Sequence, residues 1–138
     1  MIRVRRGTWE PLIPPRYRWP IVLLLVLASP VAGIDFLLGE NAAALSIVEQ
    51  SMPASVWGAL FLLGGVLAVG GYVLRWPRTC ITGLHVAGVL WMALAIGVGS
   101  TQIDDMGGFR GPYVYLTVSL ASWLAALGYA DQTRGVRR

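Results

Sequence analysis

Asp35 and His85 carry the side chains that are costly to place in apolar sequence and that could bear chemistry. A carboxylate held at the centre of a bilayer costs about 3 kcal/mol or more, and such groups are often kept for proton or ion movement. Asp35 lies three residues before the expected end of its apolar run at Leu38. At a rise of ~1.5 Å per residue it is only ~5 Å from the surface, so a solvated helix end competes with a functional role. His85 lies four residues into a later run of opposite direction, ~6 Å from the other surface. In a core ~30 Å thick this leaves ~18 Å between the two, too far for direct proton relay. A buried histidine hydrogen-bonded to a neighbouring helix or to an inner headgroup is the expected state of His85.

Cys80 stands alone, so no disulfide, CxxC pair or multi-cysteine zinc site is available within the chain, and one histidine excludes histidine-rich metal centres. The sequence holds no Ser/His/Asp set, phosphate loop, paired catalytic carboxylates or dinucleotide fingerprint. The chain is therefore read as no enzyme, with no metal and no cofactor.

The elements that position these groups follow from composition. Of 138 residues 56% are hydrophobic, and the mean hydropathy is +0.64. That is too apolar for a water-soluble domain and suits four spans of ~20 residues. The runs lie at about 21–38, 54–74, 81–99 and 112–130. Pro30 is expected to kink the first, while Pro53 and Pro112 sit near the starts of the second and fourth. Residues 1–20 contain Pro11, Pro14, Pro15 and Pro20 and read as an irregular basic arm, and 131–138 as a basic tail. Residues 42–48 in the first outer loop are apolar enough for a short interfacial helix.

Charge sets the orientation. The chain has eleven arginines and no lysine, a choice that reads as the imprint of a high-GC genome. Ten fall in three segments: Arg3, Arg5, Arg6, Arg16 and Arg18; Arg75 and Arg78; and Arg134, Arg137 and Arg138. Those segments hold two acids, whereas Asp35, Glu40, Glu49, Asp104 and Asp105 lie at the other side with Arg110 alone. The positive-inside rule then places both termini in the cytoplasm. The expected fold class is an all-α integral membrane protein with four transmembrane helices in two hairpins. Trp19, Tyr72, Trp76 and Tyr129 fall near the inner boundary, and Trp57, Phe109, Tyr113 and Tyr115 near the outer one, as two interfacial belts. The net charge of +4 sits on juxtamembrane segments, so anionic headgroups rather than nucleic acid are the expected partner. The same arginines also admit a reading as a lipid-binding or partner-docking switch, although topology alone accounts for them.

Small residues recur at helical spacing: Gly64, Ala68 and Gly71; Gly88, Ala95 and Gly99 around Met92; Ser119, Ser122, Ala126 and Ala130 opposite Leu116, Leu120, Leu124 and Leu127. Such strips let helices approach closely, either closing a four-helix bundle within one chain or joining copies of it. A basic start, the run Ile21 to Ala28 and small residues up to Ala32 resemble a signal peptide. Its proline-rich n-region is long, and Pro30 sits badly for cleavage after Ala32, so retention is expected. A faint echo links Arg18-Trp19-Pro20 with Arg75-Trp76-Pro77, and Ile34-Asp35 with Ile103-Asp104, at spacings that differ by twelve residues.

The segments PLIPPRYR (Pro11 to Arg18) and GFRGP (Gly108 to Pro112), in this architecture, resemble small multi-span proteins encoded by phages and prophages of high-GC actinobacteria, some of them holins. The resemblance implies a holin-like protein that self-associates in the host inner membrane, and it carries over no site residue. In that reading Gly64, Ala68, Gly71, Ser119, Ser122 and Ala126 line the contacts. The alternative is a membrane binding module, for superinfection exclusion or assembly, acting through loops 39–53 and 100–111 or the arm 1–20. A transporter or channel ranks last, because the spans offer little polar path.

Overall fold

The computed structural model describes residues 15–38, 51–104, 108 and 110–135; the side chains of 15–19, 102, 104 and 132–135 lie outside the described set. The described residues form four long helices: α1 Pro15–Leu38, α2 Ala54–Val73, α3 Pro77–Asp104 and α4 Arg110–Gly135. All four are long and apolar enough to cross a membrane. Their outward faces carry Leu24, Val66, Val89, Ile96, Leu124 and Leu127, and Leu24 is 71% exposed. A helix apolar on every side needs either a larger core or lipid around it, and a 138-residue bundle offers no larger core. The hydroxyls agree with an apolar surrounding. Thr82 donates to the Arg78 carbonyl at 3.0 Å, Thr117 to Tyr113 at 2.8 Å and Ser100 to Gly97 at 2.8 Å, so these three exposed hydroxyls are satisfied on their own helices. The chain is a multi-pass membrane protein.

The helices pack in sequence order, α1 on α2, α2 on α3 and α3 on α4, each pair antiparallel, while α1 and α4 meet through few contacts. The bundle is thus a ring with one thin side. Two apolar clusters fill it. One joins Phe36, Trp57, Phe61, Leu90, Trp91, Leu94 and Val98, and the other joins Val26, Ala68, Cys80, Leu84 and Ala126 towards the α2–α3 turn.

Three helices differ in their ends from the sequence reading. Helix α1 starts at Pro15, so the last six residues of the expected irregular arm are helical and Pro20 is internal. Pro15 occupies the first helical position, where its missing N–H costs nothing, and Pro20 removes a single helical bond from a helix of 24 residues. Helix α3 runs 28 residues, taking in the expected inner turn at Pro77 and Arg78 and the loop to Asp104. Helix α4 extends past Ala130 to Gly135. The echo dissolves as well: Pro20 lies inside α1, whereas Pro77 opens α3. The expected interfacial helix at 42–48 lies outside the described residues, as do Arg3, Arg5, Arg6, Arg137 and Arg138.

Candidate functional site

The small-residue strips are spent inside the chain. A Cβ on Gly71 would run into the backbone of Cys80, and one on Gly83 into the backbone of Ala68, so α2 and α3 touch main chain to main chain. Gly64 faces Val86, where an added Cβ would stand 3.0 Å from its side chain. Across α3 and α4, Gly88 receives the Trp123 ring and accepts a hydrogen bond from the Ser119 hydroxyl at 2.7 Å. Ser119, Ser122 and Ala126 are buried to 1% exposure or less, and Ala95 is buried too. Gly99 is looser, with Pro112 the nearest neighbour of an added Cβ at 3.6 Å.

The sequence reading missed the α1–α2 contact. Gly33 lies against Leu62 and Gly58, and the Pro30 ring occupies the space that a Cβ on Gly65 would need. The Pro30 ring seats in a notch of α2. The available signal was Gly58 and Gly65 seven residues apart, two turns on one face, opposite a proline and glycine three residues apart.

Aromatic rings cross the bundle. Phe36 of α1 stacks on Phe61 of α2 at 5.8 Å, Phe61 meets the edge of Trp91 of α3 at 5.1 Å, and Trp91 lies 5.5 Å from Tyr115 of α4. Trp91 also donates its indole N–H to the buried Ser29 hydroxyl oxygen at 3.1 Å. Trp57, expected in the outer belt, is buried in this cluster, because its helix turns that face to the core. Tyr115 is half-buried against Trp91, while Tyr113 is exposed.

The candidate polar residues do not come together. Asp35 is exposed near the end of α1. His85 is exposed as well, correcting the expectation of a buried histidine: its neighbours Leu84 and Ala87 take the inward face of α3. Because α3 starts at Pro77, His85 lies ~12 Å along that helix from its first residue. Among the described residues no three His, Cys, Asp or Glu side chains gather as a metal site. Arg75, Arg78 and Arg110 are exposed, and Arg16, Arg18 and Arg134 fall in helical backbone whose side chains are outside the described set.

Polar groups do converge at the α2–α3 turn. Leu74 caps α2, the Arg75 N–H bonds the Tyr72 carbonyl at 3.3 Å and the Trp76 N–H bonds the Gly71 carbonyl at 2.8 Å. This is a Schellman turn, and its left-handed position, usually glycine, holds Arg75 at φ 57°. Beside the turn lies a cleft of about 530 Å³ lined by Gly71, Tyr72, Val73, Arg75, Pro77, Cys80 and Tyr129, bringing α2, α3 and α4 to one place. A second groove of about 300 Å³, between Met92, Ala95, Ile96, Pro112, Tyr113 and Leu116, is apolar apart from its tyrosine. Compared with known protein families, curated proteins and solved structures, the chain matches none.

Proposed function

We propose that this chain is a non-enzymatic binding module of a bacterial cytoplasmic membrane, with both termini and the Arg75–Arg78 turn inside, and that it works as a folded monomer. The supporting observation is the internal use of the small-residue strips: with Ser119, Ser122 and Ala126 buried against α3, and Gly71 against Cys80, close lateral contact through them would require unpacking the bundle. The surfaces left to a partner are lipid-facing apolar walls and the two ends of the bundle. Inducible expression tests this reading against its rival. Growth and membrane potential should persist at high levels of inserted protein, and their collapse would overturn it.

The rival is the holin-like reading. It draws on the thin α1–α4 side of the ring, along which the bundle would open and expose the buried strips to other copies. It then requires a species larger than the monomer when the protein is extracted and weighed in mild detergent.

A further inference from the structure

We propose that the cleft beside the α2–α3 turn is a binding site for a phosphate-ester oxyanion, with Arg75, Tyr72 and Tyr129 as its donors. The site rests on the membrane reading only for where its ligand would come from.

Three observations meet there. The first is the donor set. The described polar side chains lining the cleft are one guanidinium, two phenols and one thiol, each able to donate, and the described lining holds no carboxylate. The carbonyls of Gly71 and Tyr72, which would otherwise face an anion with like charge, are occupied by the N–H groups of Trp76 and Arg75. The nearest described acid along α4 is Asp131, two residues beyond Tyr129 and so ~200° round the helix from it.

The second is backbone strain. A non-glycine residue in the left-handed region costs energy that glycine would not, and such outliers persist where the side chain has a task. Arg75 is the one positive-φ non-glycine residue among those described, and it lines the cleft. Arg78, three residues on and equally able to set topology, sits in helical backbone and does not appear in the lining.

The third is shape. The volume falls in the range of ligand clefts, and its remaining walls are Gly71, Val73, Pro77 and Cys80, with Leu74 and Trp76 exposed alongside. A cleft that sets these donors beside exposed apolar Val73 and Pro77 at the end of a membrane bundle fits an amphiphile whose phosphate meets the donors, and it also accepts a free phosphate. A planar guanidinium paired with hydroxyls is the donor arrangement that phosphate oxygens take best.

The test uses the full chain in nanodiscs of phosphatidylcholine alone or doped with phosphatidylglycerol, with inorganic phosphate added in a separate arm, and bound lipid or anion counted by native mass spectrometry. Nanodiscs expose both faces, so the result is independent of orientation in the cell, and failure of the topology is read separately by reporter fusions. Phospholipid retained by the wild type and lost in Arg75→Gly identifies a lipid phosphate as the ligand, with phosphatidylglycerol held more firmly than phosphatidylcholine because its phosphate has no neighbouring cation; adducts of inorganic phosphate without retained phospholipid identify the free anion. Arg75→Gly keeps the turn and relieves its strain, so it should fold while binding roughly tenfold to a hundredfold more weakly, and Tyr129→Phe should bind several-fold more weakly. Arg78→Gln, which removes an equal charge outside the lining, should change binding less than about threefold. Equal retention by wild type and Arg75→Gly, equal losses in Arg75→Gly and Arg78→Gln, or neither retained phospholipid nor a phosphate adduct would overturn the proposal.

Discussion

At the scale of single residues, the hydroxyls and indoles of the interior make the sharpest statements. Ser119 looked like one member of a small-residue strip, and its spacing disclosed the face but not the acceptor, the Gly88 carbonyl 31 residues earlier. A serine with its hydroxyl bonded across a helix contact contributes modestly in lipid. Ser119→Ala should therefore lower unfolding free energy in mixed micelles by only ~0.5–1 kcal/mol. Trp91→Phe should cost more, about 1–2 kcal/mol, because it removes the donor to Ser29 and part of the ring contact with Phe61 and Tyr115. Arg75→Gly runs the other way. In a neutral detergent without phospholipid it should raise stability by ~0.5–1 kcal/mol, since glycine meets no Cβ penalty at φ 57°. A loss of stability there would show that the Arg75 side chain supports the turn itself.

At the scale of helices, the spans were legible because hydropathy needs only a count, and the second, Ala54–Val73, ends within one residue of its expectation. The first also ends at Leu38 as expected, while α3 and α4 run on past their apolar stretches to Asp104 and Gly135, and prolines hide the starts of α1 and α3. Pro20 and Pro77 were read as stops, yet one sits inside a helix and the other at its first position, where ring geometry favours helix. Partner faces were half legible. Periodicity finds a strip such as Gly64, Ala68 and Gly71, but it cannot say that Gly71 meets Cys80, or that Trp57 turns inward while Tyr113 stays out. The cleft was invisible for the same reason: Tyr72, Arg75 and Tyr129 were read as boundary markers, and only the folded hairpin with α4 beside it brings them together. The close α2–α3 approach carries its own prediction. Gly71→Leu must push the Cys80 backbone away and should destabilise by about 2 kcal/mol or more, whereas Gly70→Leu, where an added Cβ meets nothing within 4 Å, should cost little. Similar costs for the two would mean that the helices do not meet at Gly71.

For the whole molecule, the main question is which side each end occupies, and the proposed orientation rests on charge rather than packing. Reporter fusions after residue 76 and at the C-terminus should both read as cytoplasmic, and a fusion at Gly108 as external. Changing Arg75 and Arg78 together to Gln should weaken that bias without inverting it, because eight arginines remain on the same side. Opposite readings for residue 76 and the C-terminus would break the four-span arrangement.

The thin side of the ring bears on how the protein is made. Each helix rests chiefly on the one synthesised just before it, so a chain leaving the translocon can dock every new segment at once, without holding an early helix unsatisfied until the last arrives. Biogenesis of this kind needs no late ring closure, and it leaves the first and last segments as the pair that parts most readily under mechanical pull or harsh extraction.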